Sequence, residues 1–130
     1  MRFMIIVKAN ADSEAGVMPP PSLLAEMGAF HEELARAGVL LDGASLRASS
    51  QGWRVHIDSS NGDNSGQRRI VDGPFAQNED LIAGYTLIQV RSRDEAIEWS
   101  RRYPNPTLHG SACHIEVRPL FEAVDFTPNA

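Results

Sequence analysis

Apolar residues spaced three and four positions apart mark the clearest element of this sequence. They are Leu23, Met27, Phe30, Leu34 and Ala37. This spacing makes one face of a helix apolar, so the pattern predicts a helix at about 22–37. Ser22 is in position to cap its first turn, and Gly38 is in position to end it.

A second helix is predicted at about 93–103. Ser92 and Glu95 have the spacing of a capping box at its start, and Pro104 follows its last turn. Its apolar stripe consists of Ala96, Trp99 and Tyr103, with Ile97 alongside. Both helices therefore have one face that must be buried against another element.

Two segments are apolar at almost every position, which is typical of strands buried on both faces. They are RFMIIVK at 2–8 and YTLIQV at 85–90. Further strands are predicted at 39–46 and 113–121. Since helices on one side of a sheet shield only that side, the apolar second side indicates that the sheet packs against another copy of the chain.

Alternating apolar and polar residues at 53–58 predict a strand with one exposed face. A loop at 59–66, rich in glycine, serine and asparagine, joins it to a second strand at 67–72, so the two form a β-hairpin. Residues 9–21 are expected to form a loop. The acidic segment at 79–83 is expected to form one helical turn, closed by the glycine that follows it.

The predicted order of elements is β, α, β, hairpin, β, α, β. This order predicts an α+β fold with a ferredoxin-like antiparallel sheet, two helices on one face and an inserted β-hairpin. The chain has 130 residues, enough for one domain with a sizeable core. We expect that domain at 1–121 and a C-terminal tail at 122–130.

The net charge narrows the classes of binding partner, and the cysteine content narrows the cellular compartment. The net charge is −5, with 12 Lys and Arg against 17 Asp and Glu, whereas nucleic acids and anionic membranes attract basic surfaces. We therefore expect neither as a partner. A single cysteine, Cys113, excludes an intramolecular disulfide and indicates a reducing compartment. The N-terminal apolar run is too short for a signal peptide, so the expected location is the cytoplasm.

Several segments carry a resemblance to a known family. VDGPFAQNEDLIAGYTLIQVRSRDEAIEWSRRYP resembles the segment that names the DGPF proteins, a branch of the YCII-related family. EAGVMP at 14–19, ELARAGVLLDG at 33–43 and IEVRPLFEAVDF at 115–126 are similar to the same branch. The resemblance implies a dimeric α/β barrel, in which the sheets of two ferredoxin-like domains face each other.

The resemblance implies little about function. Many DGPF-branch members are uncharacterised, and some are similar to proteins associated with alternative sigma factors. Similarity to YCII-type proteins implies a functional histidine on the first helix with an acidic residue near it. Counting back from Gly38 places that histidine at Met27 in this chain, and His31 lies one helical turn later.

The leading candidate site is Asp72-Gly73-Pro74-Phe75, and two interpretations of it stay open. As a turn, Asp can bond backbone amides, Gly permits unusual dihedral angles and Pro removes a ladder donor, so the four residues stop the strand without a ligand. As a site, a carboxylate held at a strand end suits a general base or an acceptor. Desolvation by Phe75 would then raise the pKa of Asp72.

Four residues elsewhere in the chain are candidates to act with the 72–75 segment in catalysis or ligand binding. They are His31, His56, His114 and Arg118. His31 is assigned a catalytic role with Asp72, and the other three are assigned to ligand binding together with the 73–75 segment. His114 and Arg118 share one side of the last predicted strand, so they would line the cavity of a face-to-face dimer. Exposure to solvent, with no functional role, is the alternative for each of them.

We expect neither a metal nor a cofactor. His109, Cys113, His114 and Glu116 match no zinc spacing, and strand alternation sends Cys113 and His114 to opposite faces. The sequence therefore predicts a homodimer that binds a small organic molecule and performs cofactor-free acid–base chemistry, such as isomerisation or elimination, with Asp72 as the base. The alternative is a non-catalytic sensing or protein-interaction module associated with transcription.

Overall fold

The computed structural model describes residues 1–60, 62, 65–77 and 79–127, and the elements below are those found within these ranges. The strands are β1 (Arg2–Lys8), β2 (Leu40–Ser45), β3 (Trp53–Ile57), β4 (Arg68–Asp72), β5 (Ile82–Gln89) and β6 (Ile115–Pro119). The α-helices are α1 (Ala11–Glu14), α2 (Pro21–Arg36) and α3 (Arg93–Arg101). Short 3-10 turns lie at Ser49–Gln51 and Ala123–Phe126.

β1 lies inside a four-stranded sheet of order β2-β5-β1-β6, in which every pair of neighbours is antiparallel. Ile5 of β1 pairs with Thr86 of β5 on one side and with Val117 of β6 on the other. β3 and β4 form a separate two-stranded sheet, inserted between β2 and β5 along the chain. This is the predicted α+β, ferredoxin-like arrangement with an inserted hairpin, and the prediction is confirmed.

The core lies between one face of this sheet and the helices α2 and α3. Alternate residues of β1 point toward it, because successive side chains of a strand lie on opposite faces. The buried cluster comprises Phe3, Ile5, Phe30, Leu34, Val39, Ile88, Val90 and Ala96. Phe30 of α2 contacts Trp99 of α3 and Tyr103 edge to face, which joins the two helices.

The opposite face of the sheet, which we call the open face, is only half shielded in the single chain. Met4 and Ile6 of β1 lie there, with Tyr85 and Leu87 of β5 opposite them. The two strands therefore carry apolar side chains on both faces, as their composition indicates. Packing of the open face against a second copy remains a prediction.

The start of α2 differs from the prediction. The helix begins at Pro21, and Pro20 is its N-cap without a side-chain hydrogen bond, so Ser22 is not the cap. Proline suits the first helical position because its fixed φ is already helical and its missing N–H would have no partner there. The predicted end is confirmed, since Gly38 follows the helix with a φ of +75°.

Residues 9–21 are not all loop, because α1 forms within them. Asn10 caps this helix: its Oδ1 accepts from the Ser13 N–H at 2.9 Å, and its own N–H donates to the Ser13 Oγ at 2.9 Å. The reciprocal bonds satisfy two amides that would otherwise be unpaired. Asn10 and Ser13 show this signal in the sequence, where the prediction overlooked it.

Two strand boundaries were also wrong. The segment 79–83 does not form a helical turn, because β5 already begins at Ile82 and Gly84 pairs with Ser45 of β2. β6 starts only at Ile115, so His114 precedes the strand and does not share its register. The predicted hairpin is confirmed as β3 and β4, although three residues of its loop (61, 63 and 64) lie outside the described residues.

The predicted tail is tied to the body of the protein at its start. Glu122 accepts a hydrogen bond from the Arg2 amide at 3.1 Å and pairs with the Arg2 guanidinium. These contacts lower the pKa of Glu122, first through the side-chain hydrogen bond from Arg2 and then through the backbone one. Residues 128–130 of the tail lie outside the described part of the chain.

Replacing Leu34 tests the assignment of the core. Leu34 is fully buried, so Leu34→Ala should lower the free energy of unfolding by about 2–5 kcal/mol. Leu24→Ala is the matched control, because Leu24 lies on the same helix with half of its surface exposed, and its change should stay within about 0.5 kcal/mol. Urea unfolding followed by circular dichroism measures both, and equal losses would contradict the assignment.

Candidate functional site

The 72–75 segment, which we call the DGPF turn, rests against the 3-10 turn at 49–51. The Gly73 N–H donates to the Gly52 carbonyl at 3.0 Å, and the Phe75 N–H donates to the Ser49 Oγ at 3.0 Å. Backbone donors that follow β4 are therefore satisfied by a segment that precedes β3. The two turns therefore hold together the start of β3 and the end of β4, which form the base of the hairpin.

Glu14 of α1 extends this clamp to the body of the protein. Its carboxylate accepts from the Ser49 N–H at 2.8 Å and forms a short hydrogen bond with the Ser49 hydroxyl. Ser49 in turn holds Phe75, so one serine links α1 to the DGPF turn. Hydrogen bonds that involve a charged carboxylate are stronger than neutral ones, so this link holds the turn in place.

Glycine at position 73 is required by close packing rather than by an unusual φ. A Cβ built on Gly73 would lie 1.8 Å from the Ser49 carbonyl oxygen, a distance that no non-bonded pair of atoms tolerates. From the sequence, the need for glycine at this position was attributed to its conformational freedom. The structural reason is a non-local contact, which the sequence does not reveal.

Asp72 lies at the end of β4 and is exposed. It is paired in register with Trp53 of β3, so the two side chains share one face of the hairpin. Its carboxylate forms no hydrogen bond or ion pair with any other described residue, so the turn does not depend on it. Phe75 is half-buried, and its ring lies 4.0 Å from the guanidinium of Arg54, a cation–π contact.

His31 lies on α2, on the side of the helix that meets Thr86 of β5. Its Nδ1 is 2.8 Å from the Met27 carbonyl, and its Nε2 is 2.8 Å from the Thr86 Oγ. A carbonyl only accepts, so Nδ1 carries a proton and donates to Met27, while Nε2 forms its hydrogen bond with the Thr86 hydroxyl. Both ring nitrogens thus have partners within the chain, and none of these partners belongs to the DGPF turn.

Tyr103 completes a polar cluster around His31. Burial raises the pKa of the Tyr103 hydroxyl, and the interaction with Thr86, which is itself fully buried, lowers it in part. Gly43 lies beside the imidazole, where a Cβ would be in ordinary van der Waals contact at 3.5 Å from Nε2 of His31. Sequence reasoning missed Thr86 and Tyr103 as neighbours of His31, because the three residues are far apart along the chain.

The remaining predicted site residues are dispersed. His56 is exposed on the hairpin, on the face opposite Asp72. Arg118 lies on the open face and donates to the Glu116 carboxylate at 3.2 Å, while Lys8 lies 3.5 Å from the same group. The hydrogen bond from Arg118 and the charge of Lys8 lower the pKa of Glu116.

Tyr85 and Asp42 form a further polar pair on the open face. The Tyr85 hydroxyl donates to the Asp42 Oδ2 at 2.9 Å, and this bond raises the pKa of Tyr85. Neither residue stood out in the sequence. The two residues are brought together only by strand pairing, since Ala44, two residues after Asp42, lies opposite Tyr85 in the register of β2 with β5.

A groove of about 530 Å³ lies on the surface of the described part of the chain. Its walls are formed by residues within 8–14 and 106–114, together with Gln77, Glu79 and Leu81. Its apolar surface includes Leu81 and Leu108, and polar groups converge on it from His109 and His114. The volume falls in the range of sites that bind small molecules.

His114 is the one predicted site residue that lines this groove. Its Nε2 lies 3.9 Å from the Glu79 carboxylate on the opposite wall. In the sequence, His109, Cys113, His114 and Glu116 were weighed as a metal site and rejected, and His114 was assigned to ligand binding. Within the described residues, no group of three or more His, Cys, Asp or Glu side chains is placed to hold a metal ion.

Comparison with known proteins identifies the family. A model of the YCII-related domain matches residues 1–121. The chain belongs to the YCII-related family. Among curated relatives, this YCII-related chain is similar to the uncharacterized protein R00369 of Rhizobium meliloti (strain 1021), with 38% identity over 56 residues.

The similarity to that relative covers part of each protein, namely 43% of this chain and 44% of the relative. The YCII-related chain thus matches less than half of the relative's length.

Among the described helices, none is both long enough and apolar enough to cross a membrane.

Replacing Gly73 tests the clamp on the DGPF turn. Gly73→Ala should lower the free energy of unfolding by more than about 1 kcal/mol, because the new methyl group overlaps the Ser49 carbonyl. The control is Gly28→Ala in α2, where a Cβ meets nothing within 4 Å, and where alanine should raise stability by about 0.5–1 kcal/mol. Thermal unfolding measures both variants, and a neutral Gly73→Ala would contradict the contact.

Proposed function

We propose that this YCII-related protein is a homodimer that binds a small organic molecule in the groove between the 8–14, 79–81 and 106–114 segments. The groove itself carries the proposal, since its volume of about 530 Å³ suits a small ligand. Apolar walls supply binding energy, while the imidazoles of His109 and His114 supply orientation through hydrogen bonds. The proposed ligand class is small carboxylic acids and their lactones, which offer acceptors to these groups.

The homodimer is supported by the open face. Met4, Ile6 and Leu87 form an apolar stripe there, flanked by the polar pairs of Tyr85 with Asp42 and Arg118 with Glu116. An apolar centre with a polar rim is the composition of a protein–protein interface. A second copy would shield this stripe from water, as α2 and α3 shield the other face.

For the reaction, we propose cofactor-free acid–base chemistry with Asp72 as the general base. Two observations support it. The DGPF turn is held rigidly by Ser49, and the Asp72 carboxylate is left without a partner among the described residues, so it is available to accept a proton. Asp72 does not line the groove within one chain, but Gln77, Glu79 and Leu81 of the groove follow it within nine residues along the chain.

Ligand binding is tested by thermal unfolding in the presence of small carboxylic acids and lactones. A compound that binds should raise the melting temperature with its concentration, since binding to the folded state stabilises it. His114→Ala should abolish this rise, because it removes a polar group of the groove. The matched control is His56→Ala, which changes an exposed histidine outside the groove and should leave the rise intact.

An absence of any rise across the panel would contradict the proposed ligand class. Equal effects of His114→Ala and His56→Ala would contradict the groove as the site.

The role of Asp72 is tested with Asp72→Asn, which keeps the shape of the side chain and removes its charge. With a compound that binds and is converted, the substitution should reduce turnover by about 10²–10⁴-fold and leave the melting temperature unchanged. Nuclear magnetic resonance of the substrate measures the conversion. Binding without any conversion by the unmodified protein would instead favour the non-catalytic sensing module.

A further inference from the structure

The β3–β4 hairpin, which we call the arm, exposes a continuous apolar surface. The exposed fractions are 63% for Trp53, 47% for Val55, 62% for Ile57 and 63% for Ile70. Exposed side chains of this size are ordinary when scattered, but four neighbours form a patch, and such patches mark interaction sites.

The pairing register places these residues on one face. Trp53 lies opposite Asp72, Val55 lies opposite Ile70 and Ile57 lies opposite Arg68, so the apolar side chains share one face, with Asp72 at its base and Arg68 at its far end. The other face carries Arg54, His56 and Arg69 together with Val71. The arm is therefore a two-faced ribbon, and Asp72 lies at the base of its apolar face.

The arm has little support of its own. It is a two-stranded sheet separate from the four-stranded one, and a two-stranded ribbon alone is marginally stable in water. The contacts that hold it are at its base, where Gly73 bonds Gly52 and Phe75 bonds Ser49. A ribbon anchored at one end with an exposed apolar face needs a cover, and no described residue of the single chain supplies one.

The area of the open face indicates that a second copy of the chain covers the apolar face of the arm. Four strands about 4.8 Å apart and about six residues long present roughly 400 Å² in projection. A standard interface buries about 800 Å² on each partner, so the open face by itself falls well short. The apolar face of the arm, with two strands of five residues, adds roughly 160 Å² on its own copy and covers an equal area of the partner, which brings the projected area to roughly 720 Å² on each copy.

Two-fold symmetry makes this addition reciprocal. In a homodimer with a self-complementary interface, whatever the arm of one copy contacts on the second copy is contacted in turn by the second arm. Each arm then contributes to both halves of the interface, and the apolar faces of both ribbons leave water together.

We propose that the apolar face of the arm packs against a second copy of the chain, and that this packing encloses Asp72 beside Trp53, so that the site at Asp72 is complete only in the dimer. The inference rests on the proposed homodimer and names the part of the partner's surface that the site requires. Within one chain, Asp72 is exposed and Phe75 lies against Arg54. The partner's surface therefore supplies the desolvation that was expected from Phe75.

Trp53 itself reports on the packing once Trp99 is removed. In a Trp99→Phe variant, Trp53 is the single tryptophan of the chain. Its fluorescence should be shifted to shorter wavelength at concentrations where sedimentation shows a dimer, and it should move to longer wavelength as dilution dissociates the dimer. Since the arm is unmodified, this measurement does not depend on whether an arm variant folds.

Two neighbouring substitutions separate the faces of the arm. Ile70→Asp places a charge on the apolar face and should raise the dimer dissociation constant by more than tenfold. Val71→Asp makes the same change one residue later on the opposite face and should alter the constant by less than threefold. Circular dichroism checks that both variants are folded, and sedimentation equilibrium measures the constants.

The outcomes are distinguishable. A dimer whose constant responds equally to both substitutions, with Trp53 emission independent of dissociation, overturns the arm inference and leaves the proposed homodimer standing. A monomer at every concentration overturns both. In a monomer, short-wavelength Trp53 emission would show that the chain itself covers the arm, and long-wavelength emission would leave the arm for a different partner.

Discussion

The fold depends on the packing of α2 and α3 against one face of the four-stranded sheet. Ile5, Leu34 and Ile88 are fully buried at this contact and come from β1, α2 and β5. Each of these elements is short, and none would keep its structure in water without the others. Removal of this apolar surface from water is therefore what holds the domain together.

The same packing leaves two apolar surfaces that the described residues of the chain leave partly or fully exposed. Because strand side chains alternate, burying Ile5 toward the helices directs Met4 and Ile6 to the open face. The arm leaves the sheet between β2 and β5 and carries the second surface. The proposed homodimer follows from these two surfaces together, since neither provides the area of a stable interface by itself.

The DGPF turn is defined by its environment more than by its own residues. Gly73 is needed because the Ser49 carbonyl approaches it, and Phe75 is held by the Ser49 hydroxyl, which Glu14 orients. Asp72 takes no part in these contacts. An exposed carboxylate that does not stabilise its own turn is consistent with a functional role, and the arm inference states what would surround it.

Local sequence patterns determined the two long helices, the strands of the sheet and the hairpin, since apolar periodicity and caps such as Ser92 depend on neighbours a few residues away. Together with the order of elements, they determined the fold class. Only the tertiary structure decided which groups meet. In the folded chain, His31 is hydrogen-bonded to Thr86, His114 lies near Glu79 in the groove, and Gly73 packs against the Ser49 carbonyl. These contacts join residues 24 to 55 positions apart, and the packing of whole elements, which no local pattern encodes, brings them together.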